Sequence, residues 1–264
     1  MKRHLLACLL PLCALLLPAC SPTLPPPVSS TLINNVRLVD GTGAPAYPGA
    51  VRIADGRILE VAATLAPIPG ETVVDGGGQV LAPGFIDTHS HHERGLEQKP
   101  TADELVSQGV TTIVVGQDGG SIFPLGKLWE QLAARPVAVN VASYTGHNTL
   151  RGQVLGKDYK RVSTPEEIAR MRDLVDAAMR AGAIGLSSGL GYDPGIYGST
   201  GEVVEMAKAT APYGGRYISH IRSENLGLWD SIDELLRDGR EAGIPVLLSH
   251  AQLAMVSPWG PAPG

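Results

Sequence analysis

Two hydrophobic patterns follow one another along this chain. Between residues 31 and 82 the apolar positions form short, strand-like runs separated by polar residues, and the pair Asp55-Gly56 joins two of these runs. An Asp-Gly pair between such runs is a strong signal for a β-hairpin. The pattern therefore predicts a small β unit over residues 31–82.

After Pro83-Gly84 the pattern changes, and apolar strands begin to alternate with helical stretches. Alternation of this kind predicts an α/β fold with a parallel sheet, and the regular spacing favours a (β/α)8 barrel over a doubly wound sheet. About six of the eight units are present, so the barrel is expected to be incomplete. The predicted strands are residues 85–87, 110–115, 137–141, 184–187, 217–220 and 246–250, and the predicted helices are residues 102–108, 125–134, 165–182, 200–211 and 229–242.

Two of these helices have recognisable N-terminal signals. Thr164, Pro165 and Glu167 match a capping box with proline at the first helical position. Thr200 is the predicted N-cap of the following helix. These signals predict the residues at which the two helices begin.

The first 20 residues have the pattern of an export signal. Lys2 and Arg3 precede a 13-residue apolar run, Leu5–Leu17, which is too short to span a bilayer. Leu17–Cys20 resembles the lipobox of bacterial lipoproteins, which implies that Cys20 is acylated and anchors the chain to a membrane. Pro-rich residues 21–30 are the expected tether. The predicted location is the cell envelope, in the periplasm or at the outer membrane, with ordinary secretion as the alternative.

Charge and cysteine content narrow the classes of partner. The net charge is -5 and acidic and basic residues are interspersed, so no basic stripe exists for nucleic acid. Removal of the signal would leave Cys20 as the one cysteine of the mature chain, which excludes a disulfide within it. The expected partners are a small-molecule substrate and a membrane.

Four histidines and one aspartate follow the predicted barrel strands. His89 and His91 follow the first strand, Asp118 follows the second, and His220 and His250 end the fifth and sixth. Side chains at the C-terminal ends of parallel barrel strands converge on one mouth. Four imidazoles and a carboxylate suit one or two zinc ions, although other divalent metals also accept this set. The sequence therefore predicts a metal centre at this mouth.

Several segments, in order, resemble N-acyl-D-amino-acid deacylases of the amidohydrolase superfamily. The first of them resembles the first-strand signature of that superfamily, and residues 31–82 resemble part of its N-terminal β-sandwich. The resemblance implies that residues 83–264 are part of a metal-dependent amidohydrolase barrel. It extends from about Leu32 to Trp259, and the segments that carry it are Gly84–His91, Gly109–Gly116, Gly146–Arg151, Gly185–Gly195 and His220–Glu224.

The resemblance also implies a ligand set and a reaction. His89 and His91 match the pair that binds one metal, His220 and His250 match the ligands of the other, and Asp118 stands where many deacylases have a bridging cysteine. The implied reaction is hydrolysis of a linear, non-peptide amide bond of N-acyl-D-amino acids by metal-activated water. The family's general-base aspartate follows the eighth strand, so no catalytic residue is assigned here. We interpret the chain as a C-terminally truncated family member with weak or no activity of its own.

Four further residues are candidate substrate contacts. Tyr192 matches a family position near the substrate, and the alternative is a half-buried loop tyrosine. Gln252 stands where relatives often carry a lysine that pairs with the substrate carboxylate, which puts the amino-acid substrate class in doubt. Arg222 either supplies the missing charge or pairs with Glu224. His147 follows the third strand, and we expect it to face the same mouth and contact a ligand or the substrate.

Two other interpretations remain open. An incomplete barrel exposes sheet edges that closure would remove, so the chain is alternatively a non-catalytic metal-binding lipoprotein fragment. A cyclic-amidase or dipeptidase-like amidohydrolase would use a similar set of metal ligands. Activity measurements separate these alternatives.

Overall fold

The computed structural model describes residues 29–254, which divide into two compact units between Pro83 and Gly84. The predicted signal, Cys20 and most of the predicted tether lie outside the described residues, as does the end of the family resemblance at Trp259. Within residues 29–254, no helix has both the length and the apolar character that crossing a bilayer requires.

The first unit is a five-stranded mixed sheet around β1. Strand β1 pairs antiparallel with β2 and parallel with β4 and β5, and β2 pairs antiparallel with β3. Asp55 and Gly56 both have positive φ angles, of 51° and 70°, and join β2 to β3 as the predicted hairpin. The described part of this unit forms one sheet, so a β-sandwich stays a prediction. The strands are β1 (Thr31–Leu38), β2 (Tyr47–Ala54), β3 (Arg57–Ala62), β4 (Thr72–Asp75) and β5 (Val80–Leu81).

The second unit is built on parallel strands, which confirms the predicted α/β class. One sheet has the order β6-β7-β8 and the other β9-β10-β11-β12, with parallel pairing throughout. The N–H of Ile184 donates to the carbonyl of Ser143 (3.0 Å) and links the two sheets. The incomplete (β/α)8 barrel stays a prediction. The strands are β6 (Phe85–Asp87), β7 (Val110–Val115), β8 (Asn140–Ser143), β9 (Thr145–Gly146), β10 (Gly185–Gly189), β11 (Arg216–His220) and β12 (Val246–Leu248).

Five of the six described α-helices of the second unit were predicted, and α3 was not. The capping box is confirmed, because the Thr164 hydroxyl accepts from the Glu167 N–H (3.3 Å) and the Glu167 carboxylate accepts from the Thr164 N–H (2.8 Å). The predicted cap at Thr200 is wrong by one residue, since Ser199 accepts from the Glu202 N–H (3.1 Å). The helices are α1 (Asp103–Val106), α2 (Gly126–Ala134), α3 (His147–Leu155), α4 (Pro165–Arg180), α5 (Thr200–Lys208) and α6 (Leu228–Ala242).

The core of the second unit lies between these helices and the strands. Its members are apolar side chains with almost no exposed surface, and burying each contributes about 1.5–3 kcal/mol. This packing fixes the positions of the strands, and therefore also the positions of the residues that follow their C-terminal ends. The most deeply buried members include Ile113, Leu150, Met171, Val175, Leu186, Val203, Met206 and Tyr217.

Candidate metal centre

The structure brings the five predicted ligand residues together. Oδ2 of Asp118 lies 3.2 Å from Nε2 of His89, 3.1 Å from Nε2 of His91 and 3.8 Å from Nε2 of His250. Nδ1 of His220 lies 3.4 Å from Nε2 of His250. Two triads result, His89–His91–Asp118 and Asp118–His220–His250, and within each the ligand atoms lie within 4.8 Å of one another. A carboxylate shared by two triads is an arrangement suited to a pair of metal ions.

The backbone at Asp118 is bent so that its carboxylate faces the histidines. Asp118 has a φ of 54°, in the left-handed region that aspartate tolerates better than most residues. Gly119 follows with a φ of 77°, and a Cβ there would clash with the side chain of Asn148. The Gly119 N–H donates to Ser187 Oγ (3.1 Å), and the Tyr192 hydroxyl donates to the Asp118 carbonyl (2.6 Å). These contacts hold the bend from both sides.

The donor set fits a zinc-like ion. Oδ1 of Asp118 is buried and has no hydrogen-bond partner among the described residues, although a buried acceptor without a donor costs about 1–3 kcal/mol. Coordination would satisfy that oxygen. The imidazole nitrogens that face Asp118 belong to a ligand class that zinc accepts readily. His89, His91 and Asp118 would hold one ion, and His220 and His250 with Asp118 would hold a second.

Electrostatics favour the metal-binding protonation states of Asp118 and His220 and oppose that of His89. Burial alone would raise the pKa of Asp118, but its hydrogen bond with His89 and the charges of His89 and His250 lower the pKa to about 2. The hydrogen bond to Asp118 raises the pKa of His89. Burial lowers the pKa of His220, which favours the neutral imidazole. An ionised carboxylate and a neutral imidazole are the forms that coordinate a cation.

Glu224 is part of this site and was missed as such by the sequence analysis. Its buried carboxylate accepts hydrogen bonds from Nδ1 of His250 and from the Gln252 amide (2.9 Å), and it lies 3.5 Å from Nδ1 of His220. Metal-binding histidines usually donate their second ring nitrogen to such a carboxylate. An acidic residue four positions after His220 was the available signal.

Arg222 and Gln252 are held by other protein groups. The Arg222 guanidinium donates twice to Glu234 on α6 (3.0 and 2.9 Å) and once each to the carbonyls of Ile196 and Gly198 (both 3.1 Å). The predicted pairing of Arg222 with Glu224 is therefore wrong, because Glu234 takes that place. The amide nitrogen of Gln252 donates to the Glu224 carboxylate. Both side chains stabilise the loops around the histidines.

His147 is buried inside the protein and contacts other side chains there. It is the first residue of α3 and is completely buried, with Nε2 2.8 Å from Oε1 of Glu202 and Nδ1 3.3 Å from Oδ1 of Asn148. Arg151 donates to both oxygens of the same Glu202 (2.6 Å each). The predicted contact of His147 with a substrate is wrong, because its ring has no exposed surface and both nitrogens are occupied.

Tyr192 lies beside the candidate metal centre. Its ring centroid is 4.9 Å from that of His220, and 40% of the residue is exposed. Burial raises the pKa of its hydroxyl, which therefore stays protonated and can donate to the Asp118 carbonyl. The residue lines a cavity of about 230 Å³, whose walls are His91, Arg94, Gln117, Asp118, Gly120, Asn148, Tyr192 and Asp193. This cavity lies next to the candidate metal centre, because His91 and Asp118 are among its walls.

Three curated proteins similar to this chain are deacylases. The chain is 36% identical over 242 residues to D-aminoacylase of Alcaligenes xylosoxydans, 36% over 253 residues to N-acyl-D-aspartate deacylase and 33% over 245 residues to N-acyl-D-glutamate deacylase of the same organism. These alignments cover 83%, 87% and 84% of this chain and 50% of each relative, so the chain spans about half the length of the curated relatives that it matches. No protein-family profile matches the chain.

Solved structures agree with these relatives. A crystal structure of D-aminoacylase superimposes with a TM-score of 0.77 at 33% identity, covering 84% of this chain and 51% of that one. N-acyl-D-glutamate deacylase from Bordetella bronchiseptica, complexed with zinc and a phosphonate mimic of the tetrahedral intermediate, has a TM-score of 0.76 at 32% identity and covers 83% and 50%. Another D-aminoacylase structure, at 33% identity, concerns a binuclear metal centre. The chain is therefore homologous to N-acyl-D-amino-acid deacylases, a subset of amidohydrolases, over about half of their length.

Proposed function

We propose that this protein is a zinc-dependent hydrolase that removes the acyl group from N-acyl-D-amino acids. The observation that carries the proposal is the convergence of four histidines on Asp118 in two triads that share its carboxylate. The names of the relatives support the substrate class, and the zinc in the N-acyl-D-glutamate deacylase structure supports the metal. Because the chain spans about half of each relative, the activity is proposed for the whole protein.

The residues of the site have distinct tasks in this proposal. Zinc bound there would lower the pKa of a water molecule toward about 7 and polarise the substrate carbonyl. Asp118 supplies negative charge to both triads, Glu224 orients His250, and Tyr192 holds the backbone of the Asp118 loop. We assign no general base among residues 29–254. The relatives act on different D-amino acids, so no side-chain preference is assigned either.

Metal content and turnover test the proposal together. We expect the purified chain to retain zinc after dialysis, and the full open reading frame that contains it to hydrolyse N-acetyl-D-amino acids only when zinc is present. His220→Ala should reduce metal content and remove turnover. A matched control is His92→Ala, because Nδ1 of His92 faces Ser90 Oγ (2.8 Å) and His92 belongs to neither triad.

Three other outcomes would contradict the proposed deacylase activity. Turnover that survives complete zinc removal would refute the proposal. Zinc retention without hydrolysis of any N-acyl-D-amino acid would favour the non-catalytic metal-binding alternative. Faster hydrolysis of cyclic amides or dipeptides than of N-acyl-D-amino acids would favour the cyclic-amidase or dipeptidase-like alternative.

We also propose that the protein is anchored to a membrane of the cell envelope through Cys20. The sequence Leu17–Cys20 after an export signal supports this proposal. Metabolic labelling with palmitate and detergent phase partitioning test it. We expect the wild type to be labelled and to enter the detergent phase, and Cys20→Ala to lose the label. An unlabelled wild-type protein in the culture medium would point to ordinary secretion.

A further inference from the structure

The proposed substrate carries a carboxylate that a specific site has to recognise. Arginine is well suited to this task because its guanidinium presents two parallel N–H groups to the two carboxylate oxygens. Arg222 lies near the histidines, but Glu234 and two backbone carbonyls occupy it. Gln252 is uncharged, and its amide nitrogen is bonded to Glu224. Neither residue is therefore available to bind a substrate carboxylate.

Arg94 differs from both in its surroundings. It ends the short 3-10 helix His92–Arg94 that follows the metal-ligand candidate His91. Its exposed side chain lines the same cavity of about 230 Å³ as His91, Asp118 and Tyr192. Within residues 29–254 its guanidinium makes no side-chain hydrogen bond or ion pair. Arg94 thus offers an uncommitted positive charge beside the candidate metal centre.

The other charges that line the cavity are already partnered. Asp118 faces the imidazoles of His89 and His91, and the Asp193 carboxylate accepts a hydrogen bond from the Tyr159 hydroxyl (2.9 Å) and lies 3.7 Å from Nζ of Lys160. Arg94 is therefore the cation of the cavity lining that lacks a counter-ion within the described residues. A ligand carboxylate would supply that counter-ion.

We propose that Arg94 binds the α-carboxylate of the N-acyl amino acid and so determines that acids are preferred over neutral amides. This inference rests on the proposed function, because it takes its ligand from that reaction. In this arrangement the scissile amide faces the His91 and Asp118 side of the cavity, and the carboxylate faces the guanidinium. Arg94 is a specificity-determining residue and takes no part in the bond-breaking step.

A comparison of an acid with its amide tests Arg94 directly. The substrates are N-acetyl-D-methionine and N-acetyl-D-methioninamide, assayed with the zinc-loaded full open reading frame. We expect Arg94→Gln to lower the ratio of kcat/KM for the acid to kcat/KM for the amide about 10- to 100-fold, mainly through KM, because a charge-assisted hydrogen-bonded pair is lost. Arg94→Lys should restore part of the ratio. Lys99→Gln removes an exposed cation that does not line the cavity and should leave the ratio unchanged.

Binding to the zinc-loaded chain separates this inference from the proposed function. Weaker binding of N-acetyl-D-methionine to Arg94→Gln, without hydrolysis of any N-acyl-D-amino acid by the wild-type full open reading frame, would refute the hydrolase proposal and keep the carboxylate site. An equal fold decrease in kcat/KM for the acid and for the amide in Arg94→Gln would leave their ratio unchanged. That result would overturn the assignment of Arg94. Failure of the wild type to bind the acid more tightly than the amide would overturn it as well.

Discussion

Glu224 accepts a hydrogen bond from Nδ1 of His250, whose other ring nitrogen faces Asp118 at 3.8 Å. The carboxylate therefore fixes both the ring orientation and the nitrogen that is free to bind metal. We predict that Glu224→Gln weakens zinc binding about 10- to 100-fold, measured by competition with a chromophoric chelator. Glu241→Gln, an exposed acid on α6, should have no effect. Equal zinc affinity of Glu224→Gln and wild type would contradict the prediction.

The shared position of Asp118 predicts the number of ions. A carboxylate is able to bridge two divalent cations, whereas a thiolate favours a single soft-ligated zinc. We expect nearly two zinc ions per chain in the wild type and fewer than one in Asp118→Ala, measured by elemental analysis of the full open reading frame. Asp118→Cys should retain about one. One zinc per chain, unaffected by Asp118→Ala, would show that the carboxylate does not bridge.

The buried carboxyl group of Asp238 should make the free energy of unfolding depend on pH. It is 1% exposed, neither carboxylate oxygen has a hydrogen-bond partner among the described residues, and burial together with the nearby Glu234 raises its pKa to about 7. The folded pKa exceeds the unfolded value of 3.8, so this group's stabilising contribution is complete below about pH 4 and is lost as the pH rises through 7. At pH 8, Asp238→Asn should therefore be more stable than the wild type by about 2–4 kcal/mol.

Urea unfolding at pH 5 and pH 8 measures this difference. The gain from Asp238→Asn should shrink at pH 5, where the wild-type carboxyl is protonated in the folded protein. Asp233→Asn on the same helix is a suitable control, because Asp233 is exposed. A gain that is equal at both pH values would refute the predicted titration.

Neutralising Glu202, which forms a buried ion pair with Arg151, should cause a large loss of stability. Both side chains are fully buried, and Glu202 is bonded to His147 as well. Glu202→Gln leaves the guanidinium without a counter-ion, so we expect a loss of about 3–5 kcal/mol in the free energy of unfolding. Glu205→Gln on the same helix breaks only exposed ion pairs with Arg172 and Lys208 and should cost less than about 1 kcal/mol. Similar losses for the two variants would contradict this account.

The residues that end the strands could be predicted because parallel pairing places all C-terminal strand ends on one side. His89, His91, Asp118, His220 and His250 follow apolar runs, and the structure groups them as that rule requires. The partners of these residues could not be predicted in the same way. Glu224 lies on a loop, where no periodicity fixes the direction of a side chain.

Helix α3 shows why part of the fold was missed. It buries polar side chains, namely His147, Asn148 and Arg151, so its sequence lacks the apolar spacing that identifies a helix. It also begins directly after β9, so His147 belongs to a helix and does not follow the end of the strand as a loop residue. The same reasoning explains Arg222, since Glu234 reaches it from α6, 12 positions along the chain. Contacts of this kind depend on packing that a local pattern does not encode.

The left-handed backbone at Asp118 limits which amino acids the position accepts. Asparagine adopts this conformation as readily as aspartate, whereas valine or isoleucine would force the main chain to move. Asp118→Asn would consequently remove the formal charge while preserving the path of the loop. Chemists redesigning this centre thus have a nearly isosteric exchange that separates the influence of charge from that of shape.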